Sequence, residues 1–176
     1  MTKSDDPIVT WERCFQRTHP AWPYAIVDDR SLQVLVEFGD EEYRVTCGVD
    51  IPVDSAMEKY WYGAEYEFPH LAPERHRVAM GELLHTINEE FPGCVFLFQP
   101  DNGLITCRSI HPWLGDNPSD SWLNAMVTDL LEAVAHYRPR VLATCSSAAE
   151  PHMLTPLSAS DLLFVPLPDS PGIWWI

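Results

Sequence analysis

Residues 94–110 read CVFLFQPDNGLITCRSI, two apolar runs hinged on Pro-Asp-Asn-Gly. A turn of that composition between runs rich in Val, Phe, Leu and Ile specifies a β-hairpin. Each run is apolar at nearly every position, which predicts a hairpin buried on both faces. A lone hairpin is marginal in water, so the rest of the chain has to supply the strands and helices that cover it.

The flanking segments supply both. A helix is predicted from Glu74, with Met80, Leu83, Leu84, Ile87 and Phe91 as one apolar stripe and Pro92-Gly93 as its stop. Asn117-Pro118-Ser119-Asp120 reads as a second helix start, with Asn or Ser as the cap. Leu123, Met126, Leu130, Val134 and Tyr137 follow at helical spacing, and Pro139 is expected to end that helix. Upstream, Asp6-Pro7 opens a short helix with Ile8, Trp11 and Phe15 on one face, closed by Pro20 and Pro23. Three strands are predicted after it. They are YAIV at 24–27, then LQVLVEF with Leu32, Val34, Val36 and Phe38 on one face, then EYRVTCGV with Tyr43, Val45, Cys47 and Val49 alternating with Glu42, Arg44, Thr46 and Gly48. GDEE between the last two is a hairpin turn. Residues 52–74 show no clean period and read as a short helix near 54–61 followed by a loop. The fold class is therefore α+β: an antiparallel sheet packed with helices, in the order α-β-β-β-α-β-β-α plus a C-terminal extension. The domain is placed at 1–140. Residues 141–176 are a linker rich in Ala, Ser, Thr and Pro followed by an apolar tail ending GIWWI.

Charge narrows the function. The formal net charge is −15, from 26 acids and 11 bases, which argues against binding phosphate backbones or anionic membrane surfaces and favours basic partners. The five cysteines, Cys14, Cys47, Cys94, Cys107 and Cys145, are widely spaced and odd in number. Neither a disulfide framework nor a zinc knuckle is suggested, and a reducing cytosol is the expected setting. The first residues, MTKSDDPIV, do not read as a signal peptide, and no run is apolar for the roughly 20 residues that span a bilayer.

Catalytic motifs are sparse. The seven histidines form no H-E-x-x-H or H-x-H pattern, and there is neither a G-x-S-x-G elbow nor a glycine-rich phosphate loop. Two local clusters deserve testing against structure. Asp116 could orient His111 as a base beside Ser109, near Arg108. Glu65, Glu67, His70, Glu74 and His76 carry metal-ligand chemistry.

The stretch 75–140 resembles the YbjN-like family of bacterial proteins. The resemblance lies in Ile87-Asn88 at a helix end, the Asp101-x-Gly103 turn, Arg108 on the strand after it, and Tyr137 to Pro139 closing the long helix. It implies the fold of type III secretion chaperones, which are small, acidic, cytosolic, usually dimeric and non-catalytic, and hold a partner polypeptide extended along apolar grooves and sheet edges. The expected function is thus chaperone-like or regulatory binding of a polypeptide client or partner protein, as a cytoplasmic homodimer, with no cofactor and no metal. Aromatic residues are common interface anchors, so the expected partner-binding residues are Tyr60, Trp61, Tyr62, Tyr66, Phe68, Trp113, Trp174 and Trp175. Two alternatives stand: a small metal-dependent or His-based hydrolase, and an immunity-type inhibitor of a basic protein.

Overall fold

Alternation of apolar and polar residues turns one face of a strand inward, and antiparallel neighbours then bring like faces into line. The computed structural model, which describes residues 7–50, 59–114 and 117–146, follows that rule across a six-stranded sheet. The elements are α1 (Pro7–Thr18), β1 (Tyr24–Ile26), β2 (Ser31–Phe38), β3 (Glu41–Asp50), β4 (Lys59–Glu67), a 3-10 turn at Glu74–His76, α2 (Arg77–Glu90), β5 (Val95–Gln99), β6 (Leu104–Leu114) and α3 (Asp120–Ser146). The sheet is antiparallel throughout, in the order β1-β2-β3-β4-β6-β5. One row crosses every strand: Tyr24, Val34, Val45, Tyr66, Cys107 and Phe96.

All three helices lie on the face that this row defines. From α1, Trp11 is fully buried, stacks on Phe15 at 5.5 Å, meets Tyr62 at 6.4 Å and donates its indole N–H to the Gly48 carbonyl at 3.2 Å. From α3, Trp122 and Tyr137 meet Tyr62 and Phe96 edge-on. From α2, Met80, Leu83, Leu84 and Ile87 are buried, as read from the sequence, while Phe91, the last residue of the expected stripe, is the half-buried C-cap. The Ser119 hydroxyl caps α3 by accepting from the Trp122 N–H at 3.3 Å, which settles the choice between Asn and Ser. All five cysteines are free and buried.

The α+β class holds, and three details of the sequence reading change. First, residues 59–67 are a strand, not helix and loop, so the order is α-β-β-β-β-α-β-β-α; residues 54–58 lie outside the described residues. The strand puts Tyr60, Tyr62, Ala64 and Tyr66 on the helix side and Trp61 on the other. Large aromatics on both faces, with Gly63 and Ala64 between them, erase the period-two signal. Second, α3 continues through Pro139 to Ser146. Pro139 stands on the exposed side, where the carbonyl its missing N–H leaves unbonded can meet water, while Tyr137, Val141, Thr144 and Cys145 keep the buried stripe going. The folded domain therefore runs past residue 140. Third, β5 is not buried on both faces. It forms an edge of the sheet, and Val95 is 48% exposed.

Among the described residues two glycines hold left-handed backbone, Gly39 with φ +64° and Gly103 with φ +80°. At Gly39 a Cβ would meet open space; at Gly103 it would run into the backbone oxygen of Ala72, whose N–H bonds the Gly103 carbonyl at 2.7 Å. Gly39→Ala should cost about 1 kcal/mol, the left-handed penalty alone, and Gly103→Ala at least about 2 kcal/mol, because the strap at 68–72 must shift as well. Urea denaturation of both variants checks the ranking; equal costs would mean that the strap is free to move.

Candidate functional site

Because the helices share one face, the other face of the sheet carries no helix among the described residues. Its rows read across the strands. Asp50, Trp61 and Pro112 form one, and Ser31, Gly48, Gly63 and Ile110 the next. Ala25, Gln33, Thr46, Glu65, Arg108 and Val95 form a third. The two glycines leave a side-chain-free strip between the half-buried Trp61 and an ion pair of Glu65 with Arg108. Both side chains of that pair are withdrawn from water, at 5% exposure for Glu65 and 11% for Arg108. Arg108 thus meets its acid across the β4–β6 pairing at a site nearly closed to solvent. Burial pushes the Glu65 carboxyl above the ordinary glutamate range, and the Arg108 charge and hydrogen bond offset only part of that rise.

The expected contact residues separate into three groups. Tyr62, Tyr66 and Phe68 are core residues, at 1%, 6% and 1% exposure, and present no surface to a partner. Their ring contacts are internal: Tyr66 to Phe68 at 5.0 Å, and Phe68 to Phe96 at 6.2 Å. Tyr60 and Trp113 pair across β4 and β6 on the helix side, where Trp113 lies 4.9 Å from Trp122; both are half-buried at one end of the core. Trp61 alone among the β4 aromatics faces the helix-free side. Trp174 and Trp175 lie outside the described residues.

The two sheet edges differ. In β1, the Pro23 carbonyl and the Val27 N–H bond to β2 through Leu35 and Ser31, both at 2.9 Å. Alternation then turns the peptide groups of Tyr24 and Ile26 outward. Ile26 and Val27 are each 55% exposed, beside Asp28 and Asp29. The Tyr24 hydroxyl donates to Glu12 at 2.8 Å, adding a third acid to this margin.

The two catalytic clusters fare differently. Ser109 and His111 do come together, with the hydroxyl 3.2 Å from the ring Nε2. But Ser109 is 1% exposed on the helix side, and Trp122 stands edge-on to His111 at 6.0 Å, so the hydroxyl is shielded from water in this structure. Asp116 lies outside the described residues. Glu65, Glu67, His70, Glu74 and His76 do not converge. Glu65 is held by Arg108, His76 bonds the Thr144 carbonyl at 2.7 Å, and among the described residues no three His, Cys, Asp or Glu side chains could hold one metal ion. No helix among them is long and apolar enough to cross a membrane.

Neither a scan against protein-family models nor a search of curated proteins gives a match for this chain.

The Glu65–Arg108 pair makes two measurable claims. The folded pKa of Glu65 lies above its unfolded value, so the folded state holds this proton more tightly. Its contribution favours folding below the unfolded pKa and is lost as pH rises through the folded one. A carbon-13 NMR titration should place the carboxyl midpoint above the ordinary glutamate range; a midpoint below it would mean that Arg108 outweighs burial. Arg108→Ala strands a buried carboxylate and should cost about 3 kcal/mol, whereas replacing both partners by Leu and Met should cost far less.

Proposed function

We propose that this chain binds a polypeptide partner in extended form, in the manner of a chaperone, as a cytosolic homodimer and without catalysis. The observation that carries this reading is the open, acidic margin at β1, where the peptide groups of Tyr24 and Ile26 face outward and Ile26 and Val27 are exposed, with half-buried Trp61 on the adjoining helix-free face. A sheet can take up an extended segment by main-chain pairing at an edge, with side chains seated on the adjoining face. The net charge of −15 favours a basic segment. The order of helices and strands from α1 to α3 is compatible with the type III secretion chaperone-like arrangement that the YbjN-like resemblance implies, with β4 as the strand beyond the expected order.

Trp61 is the residue to test, because its indole faces away from the core. Fluorescence anisotropy with a permanently unfolded, basic model polypeptide should show binding by the parent chain. Trp61→Ala should weaken it about tenfold, the equivalent of about 1.4 kcal/mol. Raising the salt concentration should weaken binding as well. Equal affinity of parent and variant would remove Trp61 from the site, and no binding of any extended polypeptide would end the proposal. Light scattering on the full chain tests the homodimer directly.

A further inference from the structure

The second edge of the sheet, β5, is bounded by α2, which ends at Glu90 only a few residues before the strand begins. That short connection brings Asn88, in the last turn of the helix, alongside the strand. Its side-chain oxygen accepts from the Phe96 N–H at 2.6 Å, and its NH2 donates to the Phe96 carbonyl at 2.9 Å. Only one orientation of the amide satisfies both bonds, so its oxygen and nitrogen are assigned by the geometry. The carboxamide thus stands where the peptide group of a neighbouring strand would stand.

Both polar groups of Phe96 being taken by Asn88, they point away from β6. By the alternation of an antiparallel ladder, Val95, Leu97 and Gln99 face β6, and Phe98 is the other outward-facing residue of β5. Asn88 therefore occupies one of the two positions at which an incoming strand would bond. The sequence of β5, VFLFQ, has no charge and no proline, the usual protections of an edge, and exposes Val95.

We infer that Asn88 closes the β5 edge to strand addition, leaving β1 as the edge that admits a partner strand. The closure stands by itself; the choice of β1 rests on the polypeptide-binding reading.

Native-state hydrogen exchange on the unaltered chain tests the closure first. The Phe96 amide should exchange at least about tenfold more slowly than the Phe98 amide, since one is bonded and the other open. Equal rates would overturn the inference. Asn88→Ala removes both bonds, and light scattering should then show concentration-dependent association beyond that of the parent chain. Adding Leu97→Lys, which sets a charge on the freed edge, should return the parent mass. A folded Asn88→Ala variant that keeps the parent mass at every concentration would also overturn the closure. For the choice of edge, the basic model polypeptide should protect the Ile26 amide and leave Phe98 unchanged. Protection at Phe98 would overturn it. Absence of binding altogether would sink the functional reading and the choice of β1, with the closure judged by the first two experiments.

Discussion

The pairing of β4 with β6 is the contact on which the rest of this structure depends. Four strands and α1 come from the first part of the chain; α2, β5, β6 and α3 come from the second. The two parts form a continuous sheet only because β4 and β6 run side by side from Lys59–Leu114 to Glu67–Thr106. Glu65 and Arg108, which meet on that seam, stand 43 residues apart in sequence. Local hairpins close early and at little entropic cost, whereas this seam must wait for a long loop to close. Once it forms, the row from Tyr24 to Phe96 is complete, and all three helices have one surface to cover.

Among the described residues the helices all pack on one face, and that placement has electrostatic consequences. The helix side takes most of the Leu, Val and aromatic residues, and the other face carries Thr46, two buried glycines, Trp61 and the Glu65–Arg108 pair, which is itself closed off from water. A buried ion pair is a poor device for adding stability, because two charges must first leave water. Its value lies in register. A slip of one residue between β4 and β6 would send Glu65 and Arg108 to opposite faces, each without its partner.

Most of the fold was legible in the sequence. Where one face is apolar and the other polar, as in β2 and β3, alternation gave the strands and their inward residues. Where a helix has one stripe, as Met80 to Ile87 or Ile8 to Phe15, spacing gave its buried side. The reading failed where local rules were overridden. In β4 aromatics on both faces hid the period. In α3 the stripe through Val141 and Cys145 carried the helix past a proline standing on the water side. The candidate site was less legible. Aromatic composition singled out β4, but only pairing partners decide which of Tyr60, Trp61 and Tyr62 face inward. Charge pattern could not show that Glu65 meets Arg108 across the seam. Nothing about Asn88 in a helical run indicates that its amide serves the neighbouring strand.

The buried cysteines turn the molecule into its own reporter. Burial lifts the Cys14 thiol to about 11 and those of Cys47 and Cys107 well above the usual range, so little reactive thiolate is present at neutral pH while the chain is folded. Alkylation of any of them has to wait for an opening of the structure around it. Cys14 sits in α1, Cys47 in β3, Cys107 in β6 and Cys145 in α3. The site-by-site labelling rates therefore read out which parts open together and which open alone, on a chain carrying no added probe.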